Sequence, residues 1–379
     1  MSIKIVAKAF VLLWMLRMLT CSLAGQGTAP ESFEETAEQR IERLKSELLH
    51  AEAALVGASV VEAAGVANVA KAEIPVGALI IVKTEGGGGS GFIAELKGRT
   101  FFVTNIHVLA AAREASFQTV NGRELHLPDL VFLSEQRDLA IVPILWTGDS
   151  LQVSASLSLD QVAIGDAITV MGNSDGVGVA TRLEGAIDGI GPREIEISAK
   201  FVAGNSGSPI LHDALGTVIG VVSHMRDLSD KDKWTADSEL ADIRRFGFRL
   251  DGEISWQRLT LKELFQQGEL YARFEERTQI LARTIYMLKH ERTIMTGYSS
   301  HESLGYLFEH LDGFSWKRGT GSANNIMKLE RFMNNLQSEL ITDRQNTEKA
   351  LTVNFFKERF YRADSLRDYF SQELRQVSF

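Results

Sequence analysis

Hydrophobic spacing changes twice along the chain. Between Glu31 and about Lys71, the apolar positions Ala37, Ile41, Leu44, Leu48, Ala51 and Leu55 alternate steps of four and three. That predicts a helix with a coiled-coil-like seam of about three heptads. So short and alanine-rich a segment fits equally well an amphipathic helix packed on its own chain; a homo-oligomer joined through it is the alternative. Ile74-Pro75-Val76 ends the segment. Short apolar runs separated by Gly- and Asp-bearing turns then recur to about Asp251, the rhythm of antiparallel barrels. They group into two barrels, at about 74–147 and 158–252. Arg226 to Arg245, inside the second, is polar and charged and predicts a loop or short helix. From Trp256 onward the apolar period moves from two to nearly four. Phe274, Leu281, Ile285 and Leu288 share one face, and Ile326, Leu329, Met333, Leu336 and Leu340 another. A last stretch carries Phe356, Phe360, Leu366, Phe370 and Leu374. These stripes predict a helical core over 253–379. The expected fold is mainly β, with two six-stranded-type barrels, an N-terminal helix within 25–73 and a C-terminal α-helical domain.

The first 24 residues read as a secretory signal. Lys4 and Lys8 supply a positive start, Ala9 to Leu19 an apolar stretch interrupted by Arg17, and Ser22-Leu23-Ala24 a small-x-small cleavage site. The expected location is the periplasm or the exterior. A retained anchor is the alternative, for which the apolar run is short. Cys21 is the only cysteine, so cleavage would leave no thiol for nucleophilic or zinc-thiolate chemistry. A net charge of −9 argues against sequence-independent binding to nucleic acid, which needs a basic face. His126, His212, His290, His301 and His310 lack the HExxH spacing, so neither a catalytic metal nor another cofactor is expected. Gly86 to Gly91 fits G-x-G-x-x-G, but a β-rich segment follows where a dinucleotide loop needs a helix. A hairpin connection is the better reading.

Chemistry gathers at Gly204-Asn205-Ser206-Gly207-Ser208-Pro209. Acyl transfer needs a nucleophile beside N–H donors aimed at the oxygen that turns negative. Glycine at 204 permits the backbone bend that would bring its own N–H and that of Ser206 to one point. Alone, the hexapeptide suits a β-turn equally well. Two segments upstream change that balance. Phe101 to Leu109 is an apolar, β-branched run containing His107, and Arg137-Asp138-Leu139-Ala140-Ile141-Val142 places an aspartate at the mouth of an apolar strand. The order His, Asp, Ser is the one a chymotrypsin-type arrangement requires. Ser206 lies outside a G-x-S-x-G elbow, because position 208 is serine.

Thr104-Asn105-Ile106-His107-Val108, Asp138-Leu139-Ala140-Ile141 and Gly204-Asn205-Ser206-Gly207-Ser208 resemble the three signatures of trypsin-like serine proteases of the HtrA/Deg type. Ser90-Gly91-Phe92-Ile93, Val170-Met171-Gly172-Asn173, Val218-Ile219-Gly220-Val221 and Phe246-Gly247-Phe248 are similar to that family's barrel strands. The likeness covers about 74–252. It implies a chymotrypsin-like fold, His107 as general base, Asp138 as its orienting carboxylate and Ser206 as nucleophile. Gly204, Asn205 and Ser206 would form the oxyanion hole. Asn205 stands where digestive trypsins carry an aspartate that pairs with a freed N-terminus, so that activation route is not expected. The relatives usually continue into PDZ domains, whereas neither β-rich sequence nor a carboxylate-binding glycine loop follows residue 252 here.

Specificity is written less plainly. Lys200 would favour an acidic substrate side chain if it pointed inward, and would be a solvated lysine if outward. Val221, Val222 and Ser223 are expected to edge the pocket, and His224 to line it or face solvent. The resemblance suggests a small aliphatic preference. The expected activity is that of an exported serine endopeptidase acting on unfolded or regulatory polypeptides in protein quality control. The rivals are a protease-like scaffold that binds polypeptide without cutting, and a latent protease gated by its helical C-terminal region or by a partner of that region.

Overall fold

The computed structural model describes residues 74–84, 87–96, 98–154, 161–227, 243–291, 293–295, 315–317 and 323–376. The signal and heptad readings fall outside these residues, as does most of Arg226 to Arg245. One unit spans Ala70–Phe379.

Apolar β-branched runs build the first sheet. β1 (Leu79–Thr84), β2 (Gly87–Leu96) and β3 (Arg99–Thr104) form a meander, with Phe92 opposite Val103 and Ile93 opposite Phe102. β4 (Ser116–Thr119), β5 (Val131–Ser134) and β6 (Ala140–Pro143) extend it, and β7 (Leu151–Gln152) lies parallel on β2. The glycines of β2 lie within the strand rather than in its turn. A Cβ on Gly89 would sit 2.5 Å from Val108, and one on Gly91 2.3 Å from Phe102. The bare Gly89 lets the short helix α1 (Ile106–Ala110) approach the sheet, and the bare Gly91 makes room for the Phe102 ring of β3.

The second sheet comprises β8 (Ala167–Asn173), β9 (Ala180–Ile190), β10 (Glu194–Ile197), β11 (Pro209–His212), β12 (Thr217–Asp227) and β13 (Ile243–Arg249). They close into a barrel in the order β10-β13-β12-β11-β8-β9, which removes unpaired edges. Ile168, Val170, Ile187, Ile195, Ile210 and Val222 fill its interior. The first sheet is an open path, β14-β5-β6-β3-β2-β1-β4.

Its outermost strand comes from an unexpected place. Trp256–Leu259, at the start of the segment expected to be helical, forms β14 and pairs with β5, Leu259 opposite Val131. Four residues are too few for a period to declare itself. Thr260 then starts α2 (Leu261–Tyr286) through a capping box, its hydroxyl accepting from the Glu263 N–H at 3.1 Å while the Glu263 carboxylate accepts from the Thr260 N–H at 2.8 Å. α3 (Ala323–Ala350) and α4 (Asn354–Leu374) pack on α2. Phe274 and Phe360 lie 5.0 Å apart between ring centres, and Arg277 pairs with buried Asp343.

Most of the expected apolar stripes are buried, including Phe274, Leu281, Ile285, Leu336 and Phe356. Leu366 is 49% exposed, because it lies six residues beyond Phe360 and the helix turns it outward. The helices share one continuous core with the first sheet, Leu264 and Phe274 belonging to the same cluster as Phe102, Leu109 and Leu139. Phe274→Ala should therefore destabilise the whole unit by about 3–5 kcal/mol. Urea unfolding followed by both tryptophan fluorescence and helical circular dichroism should show one shifted transition.

Candidate active site

Thr104 ends β3 and α1 begins two residues later, which sets His107 on the first turn of a very short helix. Asn105 fixes that corner by donating its side-chain amide to the Asp138 carbonyl at 2.7 Å. Asp138, 4% exposed, lies in the connection from β5 to β6. Its Oδ1 accepts the His107 backbone N–H at 3.2 Å and its Oδ2 lies 2.6 Å from His107 Nδ1. Burial pushes the Asp138 carboxyl upward, but the charge and hydrogen bonds of His107 outweigh it and hold the group below its ordinary range. An ionised carboxylate only accepts, so Nδ1 carries a proton. In the neutral ring Nε2 is then the basic nitrogen.

The third contact to this carboxylate comes from the other sheet. Along β12 the pairing register slips between Val222 and His224, leaving Ser223 as the extra residue of a bulge, a device that re-aims a side chain. Its hydroxyl donates to Asp138 Oδ2 at 3.1 Å, and its carbonyl accepts the Ser206 hydroxyl at 3.3 Å. His107, Asp138 and Ser206 thus converge, the serine joined to the pair through Ser223. Among the described residues no hydrogen bond joins His107 to Ser206.

The loop carrying Ser206 has a backbone that few sequences could adopt. Gly204 and Gly207 have φ of 86° and 89°. A Cβ on Gly204 would sit 2.2 Å from the Asn173 carbonyl, and one on Gly207 2.0 Å from that of Ser90. Ser90, from β2, grips the loop: its N–H donates to the Ser206 carbonyl and its hydroxyl to the Gly204 carbonyl, both at 2.8 Å. The Asn173 N–H donates to the same hydroxyl at 2.8 Å, and the Thr104 hydroxyl to the Ser90 carbonyl at 2.7 Å.

Peptide planarity orients the donors. Asp175, the one non-glycine among the described residues with positive φ (59°), donates its N–H to the Ala203 carbonyl at 2.7 Å. The carbonyl and N–H of a trans peptide point in opposite directions, so this bond aims the Gly204 N–H away from Asp175. Neither that N–H nor the one of Ser206 is bonded to another group among the described residues. Asn205 departs from the expected oxyanion set. Its N–H donates to the Val202 carbonyl at 3.2 Å and its side-chain amide to the Ser174 hydroxyl at 3.0 Å, so it braces the loop.

The expected pocket residues separate. Lys200 is exposed, the outward alternative. Val221 and Val222 are fully buried in the first and second cores, because strand alternation and the bulge bring only Ser223 and His224 to the site. His224 stacks on Phe246 at 5.4 Å, and burial lowers its pKa against the opposing pull of Glu194. His212 is structural, its Nε2 3.0 Å from Asp166 and its Nδ1 accepting from the Leu215 N–H. Ser90, Asp175 and Ser223 are the site-forming residues whose part the sequence did not disclose. Of these, Ser223 is expected from the sequence only as an edge of the pocket, the small Ser90 amid glycines carries a signal of close backbone approach, and Asp175 carries none.

Residues 89–221 match the family described as the trypsin-like peptidase domain. Over these residues the chain is similar to trypsin-like peptidase domains. The matched segment includes Ser90, His107, Asp138 and Ser206 and stops before Ser223, β13 and the helices. Among solved structures, the HtrA-type protease AlgW with tripeptide is 23% identical, covers 46% of this chain and 57% of its own, and has a TM-score of 0.35. Deg5 is 25% identical over 39% of this chain and 80% of its own, with a TM-score of 0.32. The serine endoprotease from Yersinia pestis is 22% identical over 46% and 59%, with a TM-score of 0.35. The chain thus spans under two thirds of the first and third of these. No curated protein matches it.

Two outcomes are expected. Ser90→Ala should cost the fold about 1–3 kcal/mol, because it strips partners from the half-buried Gly204 carbonyl and the buried Asn173 N–H, read by thermal or urea unfolding. Because the folded pKa of Asp138 is depressed, the stability its ionisation contributes is present above the unfolded value near 3.9 and lost as pH falls through the folded one. The stability gap between wild type and Asp138→Asn should therefore narrow below about pH 4, and a gap unchanged down to pH 2 would contradict that linkage.

Proposed function

We propose that this chain is a serine endopeptidase that hydrolyses peptide bonds in unfolded or regulatory polypeptides. The observation that carries the reading is the 2.6 Å His107–Asp138 pair, sharing Ser223 with the Ser206 hydroxyl. On binding of a polypeptide, Ser206 turns to His107 and its Oγ attacks the scissile carbonyl while Nε2 takes its proton. Asp138 holds the ring and balances the imidazolium. The carbonyl oxygen, now negative, is met by the N–H groups of Gly204 and Ser206, an interaction whose single donors are worth about 3 kcal/mol elsewhere. His107 returns the proton to the leaving amine, and the C–N bond breaks to leave an acyl-serine. Water, deprotonated by the same nitrogen, then releases the acid and restores the hydroxyl. No cofactor enters these steps. Residues 1–24 support an exported, periplasmic or secreted enzyme.

The Ser206–Ser223 hydrogen bond favours a second reading, in which the enzyme is latent until a polypeptide or a partner of the helices turns the hydroxyl. A serine-directed fluorophosphonate should label the purified wild-type chain and not Ser206→Ala. Ser206→Ala and His107→Ala should each lower kcat/KM on an unfolded protein by roughly 10³-fold or more. Wild-type protein inert to the probe and to varied polypeptides, with or without candidate partners, would defeat both versions and leave the scaffold.

A further inference from the structure

A cavity of about 790 Å³ opens beside the proposed triad. Asp138 and Ser223 belong to one wall, which β12 continues through His224 and Arg226. Another wall is made by α4, far along the chain from the matched segment, through Phe355, Arg359 and Arg362. A polypeptide presenting a bond to Ser206, which touches Ser223, lies within a few residues of this space, each extended residue advancing about 3.3 Å.

The charges of the lining are unevenly committed. Arg226 pairs with Glu194 at 3.3 Å. Buried Arg137 donates to the Arg249 and Asp251 carbonyls at 2.5 and 3.0 Å, and its Nε has no hydrogen-bond partner among the described residues. Arg359 lies with its guanidinium carbon 3.5 Å from the centre of the Phe355 ring. That face contact holds the fork while leaving its N–H edge for a ligand. Arg359, Arg362 and Arg193, the last from the loop after β9, have no ion pair among the described residues. Against them stand two exposed acids, Glu135 and Glu358, and the buried Asp138 carboxylate, whose ionisation Arg359 favours. Counted whole, the lining carries five arginines against four carboxylates, a local excess of cations in a chain of net charge −9.

We infer that α4 completes a substrate subsite in which Arg359 and Arg362, with Arg193, take the carboxylate of an aspartate or glutamate close to the cleaved bond. The inference rests on the endopeptidase reading and adds a substrate class to it: polypeptides acidic within a few residues of the cleavage point. Arginine suits the task because its planar fork matches a carboxylate with two parallel hydrogen bonds.

The test uses the full chain and peptide sets built on one cleaved sequence, with Glu, Gln or Lys at each of the four positions on either side of the bond. At one position Glu should exceed Gln in kcat/KM by roughly 10- to 100-fold, as expected of charge-assisted hydrogen bonds, and mainly through KM. The double reversal Arg359→Glu with Arg362→Glu should make Lys the better residue there, a gain that misfolding cannot produce. Arg359→Lys should keep part of the original preference. Should the double variant fail to fold, Arg362→Gln, at an exposed site, should still reduce the preference for Glu. Cleavage indifferent to charge, or a preference that survives reversal and Arg362→Gln unchanged, overturns the inference alone. A wild-type chain that neither reacts with fluorophosphonate nor cuts any peptide overturns the function as well.

Discussion

Ser90 is the joint on which the site depends. One small residue of the first sheet uses its N–H and its hydroxyl to hold two carbonyls of the loop that belongs to the second. The same hydroxyl accepts from Asn173, and Thr104, three residues before His107, donates to the Ser90 carbonyl. Ser90, Thr104 and Asn173 are buried and Gly204 and Ser206 half-buried, and a buried polar group without a partner costs more than a made hydrogen bond returns. The two sheets are therefore held to one relative position by hydrogen bonding that neither could satisfy alone. The imidazole on one side and the alcohol on the other inherit that position. Gly172 and Gly207 are the steric condition for so close an approach, since a Cβ on either would strike Ser90.

The helical layer acts on the same machinery from behind. Gly268 of α2 lies against Ala110 of α1, so close that an added Cβ would sit 3.0 Å from the Ala110 Cβ. The short helix bearing His107 is thus pressed between the glycine strand β2 and α2. A five-residue helix has almost no intrinsic stability, and its shape here is imposed by these neighbours. α4 meets the site from another side, at the wall of the cavity next to Asp138. The C-terminal third of the chain is part of the structure that fixes the site, through the core it shares with the first sheet.

How much of this the sequence disclosed follows from the range of each interaction. Strand runs, the helical stripes and the order His107, Asp138, Ser206 were legible, because hydrophobic period and local motif are properties of neighbouring residues. Gly204 was legible because a left-handed bend leaves glycine as its mark. What escaped was set by contacts distant in the chain. Ser223 owes its role to a bulge, and a register slip leaves no trace in composition. Val221 and Val222 were assigned to the pocket because one residue of slip decides which side chains reach it. Asn205 looked like an oxyanion donor by position, while its hydrogen bonds go to Val202 and Ser174. The strand at Trp256–Leu259 was hidden by its four-residue length.

That last strand also orders events during synthesis. β14 forms the edge of the sheet that holds His107 and Asp138, and the helices behind it complete that sheet's core. A ribosome that has already made the serine loop has still to add Trp256–Leu259 and three helices before these elements can pack. Domains generally fold as units during translation, and here the unit that holds the serine loop closes only after α4 has been made. The growing chain therefore carries the serine loop well before the layer that presses His107 and Asp138 into place exists, so on the endopeptidase reading cutting waits for the helices.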